Sequence, residues 1–229
     1  MTLLDFARGP ALQWSVALFL FGLLWRLVGV FFLRTRADLS APRNPAKWKG
    51  LRLIALRSWP RREFLEGTAF GEVMGYAFHI GFLVTLFFYV PHLLFFEDIF
   101  EGLIGTDFEG IFGFAWPTLP TAAITFLAAV SVAALLAVLV HRIVNPVKRL
   151  ISNFDDYFSW LLTVAPLVTG LLAYAHAGGL RYETMLGVHI LSSVALLVWF
   201  PFVKLIHAFT IFAARGATGM NFERRGASL

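Results

Sequence analysis

Five long apolar stretches constrain this chain more than any other feature, because each reaches the ~20 residues that a helix needs to cross a bilayer. They run from Ala11 to Leu33, Thr68 to Phe96, Leu119 to Val140, Tyr157 to Ala177 and Leu186 to Phe212. With 59% hydrophobic residues, 14% charged residues and a mean hydropathy of +0.74, the chain exceeds what a soluble domain of 229 residues tolerates. The reading is an all-α integral membrane bundle of five transmembrane helices. The first run is too long for a signal-peptide core and no small-residue cleavage site follows it before Arg34, so it reads as a retained span. Neither a repeat nor a low-complexity linker divides the sequence, and residues 1–229 read as a single membrane domain.

Charge sorts between the connecting segments. Arg34 to Glu66 holds nine lysines and arginines against three acids, whereas Glu97 to Pro117 holds five acids and no base. Positive residues stay on the cytoplasmic side of a membrane, so the first segment is expected inside and the second outside. Arg142, Lys148, Arg149, Arg215, Arg224 and Arg225 then fall on the inner side too, which places the N-terminus outside and the C-terminus in the cytoplasm; the membrane expected is the cell's inner (plasma) membrane. The net charge of +5 is accounted for by this asymmetry and calls for no nucleic-acid partner. RLIALRSWPRREFLEG (Arg52 to Gly67) mixes aliphatic residues and Trp59 with arginines, as a segment lying on headgroups or against a protein partner does.

No cysteine is present, which excludes a disulfide, an iron–sulfur cluster and a covalent haem attachment on this chain. A resident redox group would hang on histidines. Of six, His79 and His92 belong to the second apolar run and His189 and His207 to the fifth. Residues at equal depth on antiparallel helices have a nearly constant sum of residue numbers. Pairing His79 with His207 and His92 with His189 leaves a mismatch of five residues, about 7 Å of helical rise; the swapped pairing is far worse. His189 and His207 are 18 residues apart, about five turns, and so share one side of a continuous helix. Two stacked bis-histidine sites are therefore expected, and neutral imidazole pairs on facing helices suit iron porphyrins. Two b-type haems are the predicted cofactors, and Gly75, Gly81 and Gly187 are positions where a flat ring could approach the backbone.

His79 and His92 are 13 residues apart, which turns them ~140° from each other on an ideal helix. Pro91 is expected to kink or rewind the turn and restore the aim of His92; the substitutes are His176 and Tyr89. Arg26 and Lys204 are cations inside apolar runs, where haem propionates would supply counter-charge, although Lys204 could equally snorkel to the inner headgroups. His141 beside Arg142 reads as a residue at the membrane surface. Glu97, Asp98 and Glu101 could exchange protons beside the outer site, and Glu72 could do so or pair structurally.

With FHIGF around His79, HRIVNPVKRLISNFDDYFSWLL from His141 to Leu162, and GVHI and LIHAF around His189 and His207, the chain resembles the respiratory nitrate reductase gamma-subunit family of membrane cytochromes b. That family includes the membrane subunits of heterodisulfide-reductase-like and sulfite-reductase-associated complexes. The resemblance extends over nearly the whole chain; it departs where nitrate reductase subunits set the two histidines of the second span ten apart, since Tyr89 stands there. It implies electron exchange between the quinone pool and a cytoplasmic iron–sulfur subunit, with the terminal catalytic site on a further subunit. It also implies an outer haem (His92, His189) near a quinone and an inner haem (His79, His207) near the soluble partner. A stand-alone cytochrome b561-like reductase and a haem-free anchor or transporter are the other classes compatible with these residues. No nucleotide-binding loop, zinc motif or nucleophile triad is present.

Overall fold

The computed structural model describes residues 1–32, 41–43, 49–56, 63, 65–177 and 179–227, all helical or irregular with no strand among them. Among the described residues five helices are long and apolar enough to cross a membrane: α1 (Leu3–Phe32), α3 (Leu65–Phe88), α6 (Thr121–Val144), α8 (Phe154–Tyr174) and a fifth segment, Tyr182–Phe202, whose α-helical part is α9 (Tyr182–Trp199). Shorter helices connect or flank them: α2 (Lys49–Leu56), α4 (Val90–Ile104), α5 (Phe108–Phe112), α7 (Pro146–Leu150) and α10 (His207–Arg224).

The first helix starts eight residues earlier than its hydropathy predicts. Thr2 and Asp5 form a capping box, with the Asp5 N–H donating to Thr2 Oγ1 (3.1 Å) and the Thr2 N–H to Asp5 Oδ2 (2.8 Å). The helix then passes Pro10 through a wide turn over Ala7–Ala11, with Gly9 at φ −91°, ψ −107°. A wider turn gives the proline ring room where a regular α-turn would clash with the preceding carbonyl.

Among the described residues α3 packs on α6, α6 on α8, α8 on α9, and α9 on α1. The core lies between α3, α6 and α8, where Ala128, Leu135, Val164 and Leu167 meet Phe78, Phe82 and Trp160. Small residues set this spacing: a Cβ on Gly81 would collide with the Ser131 hydroxyl and lie 2.6 Å from the Leu127 carbonyl oxygen. Close backbone approach of this kind is how helices associate in lipid, where apolar side chains gain nothing by leaving it. Outward residues such as Trp14, Leu24, Phe126 and Val144 are large, apolar and exposed, as lipid-facing positions should be.

Two predicted spans are interrupted. The second is not one rod from Thr68 to Phe96: α3 stops at Phe88, Tyr89 is extended (φ −87°, ψ 122°), and α4 restarts with Pro91 in its first turn. Proline has no N–H for the carbonyl four residues back. That carbonyl, on Phe87, accepts instead from Trp116 Nε1 (2.9 Å), and the Phe88 carbonyl accepts from the Leu119 N–H (3.0 Å). The fifth likewise does not continue from Leu186 to Phe212. After Trp199 the chain makes a short 3-10 turn through Pro201, becomes extended at Val203 (φ −124°, ψ −171°), and makes a second turn over Lys204–Ile206 before α10 begins at His207. The identity of five turns between His189 and His207 therefore does not apply, because no single helix joins them.

Of the basic segment after α1, α2 packs against α10, and residues 57–62 and 64 lie outside the described residues.

Candidate haem sites

The four histidines of the second and fifth runs meet in two pairs. His92 and His189 have ring centroids 6.0 Å apart, with planes 17° from parallel. His79 and His207 are also 6.0 Å apart, with planes at 81°. A metal between two imidazoles forms bonds of about 2 Å to each, and adding the half-width of each ring brings the centroids of axial ligands to roughly 6 Å.

Each ring is oriented by the main chain. The Nδ1–H of His79 donates to the Gly75 carbonyl (2.6 Å), that of His92 to Thr85 (3.0 Å), that of His189 to Pro166 (3.0 Å), and that of His207 to Lys204 (2.9 Å). A carbonyl oxygen only accepts, so each neutral ring carries its proton on Nδ1 and leaves the Nε2 lone pair for a ligand. Metal-binding histidines are commonly tied in this way, which fixes tautomer and ring orientation.

The breaks in the helices create these arrangements. At the outer site, Thr85 lies in the last turn of α3 and His92 in the first turn of α4, so the imidazole bridges the break at Tyr89. His189 lies against α8, where Thr169 Oγ1 is 3.3 Å from its Nδ1 and 3.0 Å from Ser192 Oγ. A Cβ on Gly170 would be 3.1 Å from His189 Cε1. At the inner site His207 is the first residue of α10, and it and His79 are both exposed on this chain.

The four histidines lie on four helices: His79 on α3, His92 on α4, His189 on α9 and His207 on α10. The Nδ1 bonds, which leave Nε2 for a ligand, and the spacing of the rings together fit a flat, apolar macrocycle at each pair. Among the described residues no cluster of three or more histidine, aspartate or glutamate side chains could hold a metal ion directly.

The remaining expected residues are placed as follows. Arg26 Nε donates to the Pro201 carbonyl (3.2 Å), and the side chain lines a cleft of about 300 Å³ with Phe21, Trp25 and Phe202. Lys204 Nζ pairs with Asp156 Oδ2 at 2.7 Å. His176 terminates α8 in the left-handed region (φ 51°), is exposed, and stacks on Tyr182. Tyr89 stands edge-on to His92 at 5.2 Å. His141 packs on Phe70 at 4.8 Å.

Two of the three glycines expected to admit a porphyrin do something else: Gly81 packs on α6, and Gly187 packs on Leu3 and the Leu4 backbone. Gly75 is open on its Cβ side, and its carbonyl orients His79. Sequence reasoning missed Thr169 and Gly170, which lie against His189. Their only signal was depth, since on antiparallel helices Gly170 falls near His189.

No protein-family model matches the chain. It is 29% identical over 238 aligned positions to a protein of Nitratidesulfovibrio vulgaris, with 97% of this chain and 96% of that protein covered.

Proposed function

We propose that this chain is a dihaem cytochrome b membrane subunit of a respiratory oxidoreductase complex, similar to the nitrate reductase gamma subunits, and that it exchanges electrons between the quinone pool and a cytoplasmic iron–sulfur subunit. The observation that carries the reading is the pair of imidazole couples, each with 6.0 Å between centroids and each ring tied through Nδ1 to a carbonyl. Haem b bound there supplies one-electron exchange in a setting that the histidines, burial and hydrogen bonding tune.

The chain's own part is to hold and insulate. His92 and His189 would ligate the outer group and His79 and His207 the inner one. With Lys204 committed to Asp156, Arg26 is the membrane cation whose terminal guanidinium nitrogens have no described partner, and we assign it to an inner propionate. On the outer side, α4 carries both His92 and the acids Glu97, Asp98 and Glu101, which would take up quinol protons, and Phe100, Phe108, Phe112 and Trp116 pack on one another in and after it. On the inner side, α2 packs on α10, and the two helices carry Arg52, Arg215 and Arg224, charges that would suit an acidic face of the soluble partner. The charge asymmetry supports an external N-terminus and a cytoplasmic C-terminus, and the reading as a respiratory subunit implies the plasma membrane. The terminal catalytic site belongs to a further subunit.

The test is purification of the complex in mild detergent followed by addition of a short-chain quinol. The reading expects reduction of a b-type spectrum and copurification of an iron–sulfur protein. A b-type spectrum without any such partner would favour the stand-alone cytochrome b561-like class, and no spectrum would exclude both.

A further inference from the structure

The inner ligand His207 follows a break in the fifth span, and a ring after a break is only as well aimed as the segment that carries it. Its sole oriented hydrogen bond among the described residues runs to the carbonyl of Lys204, at 2.9 Å. What holds Lys204 therefore decides where the imidazole points.

Lys204 is held on both its main chain and its side chain by the N-terminus of α8. Its N–H donates to Asp155 Oδ2 (3.4 Å), and its ammonium donates to Asp156 Oδ2 (2.7 Å) and Asn153 Oδ1 (3.4 Å). These acceptors are themselves fixed. Asn153 and Asp156 form the capping box of α8, Asp156 Oδ1 is 3.4 Å from Arg142 Nη1, and Arg142 donates to Ser152 (2.9 Å). Asp155 Oδ1 accepts from Ser159, whose hydroxyl in turn accepts from Trp199 Nε1, the last helical residue before the break. Both sides of the interruption, Trp199 and Lys204, are thus tied to the same turn of α8.

We infer that Asp156, through its ion pair with Lys204, is a positioning residue that fixes the aim of His207 toward the metal. The inference rests on the dihaem reading. It follows from an anchored carbonyl and an otherwise exposed ring: without the Asp156–Lys204 tie, the turn over Lys204–Ile206 is left with only the longer main-chain bond from Lys204 to Asp155 (3.4 Å) as its reference to α8, and the imidazole loses its fixed aim. Asp156 and Lys204 touch neither substrate nor cofactor in this role.

The experiment uses electron paramagnetic resonance of the oxidised full-length protein, with the outer site as internal control. Imidazole planes near perpendicular leave the iron's two π-type orbitals nearly equal in energy and give a low-field signal of large anisotropy, whereas near-parallel planes give an ordinary rhombic one. Lys204→Met is expected to shift and broaden the low-field signal while two haems remain bound and the rhombic signal is unmoved. Lys204→Arg, which keeps the ion pair, is expected to restore it. If Lys204→Met does not insert, Asp156→Asn is read by the same criteria. A dihaem wild type whose low-field signal is untouched by these changes, or in which both signals are disturbed equally, overturns the inference alone. A wild type without haem overturns the dihaem reading and the inference with it.

Discussion

His92 and His189 face each other at 6.0 Å with their planes 17° from parallel, although one sits beyond a break in its run and the other lies in the body of a continuous helix. The inner couple has the same separation but stands at 81°. If each couple holds an iron, the two should differ spectroscopically: oxidised protein should show one rhombic and one low-field signal. His92→Ala should remove the former alone and His79→Ala the latter alone. Two indistinguishable signals would contradict the ring angles.

Gly170 touches the ring of His189, and a methyl group there would stand 3.1 Å from Cε1. Gly170→Ala should displace the imidazole at an overpacking cost of about 1–3 kcal/mol, and Gly170→Leu should abolish outer-site haem while sparing the inner one. Haem content and the two resonance signals of each variant check this.

Pro91 keeps His92 turned toward its partner. Pro91→Ala restores an N–H able to reach the Phe87 carbonyl, now held by Trp116, so that α3 can continue through Tyr89 and carry the imidazole around the helix. The expected outcome is loss of the outer haem with undiminished helical circular dichroism. Retention of both haems would show that other contacts hold the break.

Gly81 offers the contrast, because it serves packing and not ligation. Gly81→Val drives methyl groups into Ser131 and the Leu127 carbonyl, so it should lower the thermal midpoint in detergent by the equivalent of about 1–3 kcal/mol or more. Both haem signals should fall in parallel, without selectivity for either site.

Much of this arrangement is legible in the residues. Apolar runs of spanning length stand out because lipid leaves a chain few ways to satisfy its backbone, and equal-depth reasoning couples His79 with His207 and His92 with His189, as the rings meet in the structure. The route to the inner pairing was not legible. A continuous helix from Leu186 to Phe212 appeared to put His189 and His207 on one side, but Pro201 and the extended Val203 interrupt it, and the tertiary tie of Lys204 to Asp156 restores the aim. Those two residues are 48 apart in sequence, and nothing local announces their contact. The start of α1 was hidden for a different reason: the apolar run begins only at Ala11, whereas the helix begins at the Thr2–Asp5 capping box and crosses Pro10 through the wide turn at Ala7–Ala11. The glycines were misread because a missing Cβ shows that something approaches closely without showing what, and at Gly81 and Gly187 it is another helix.

The most direct measurement is pyridine haemochrome stoichiometry on the purified, correctly inserted chain and on its histidine variants. The account predicts two b-type haems per wild-type polypeptide, one in His79→Ala and one in His92→Ala, with His176→Ala unchanged. An intact, folded wild-type chain that carries no haem when isolated from haem-replete cells would contradict it.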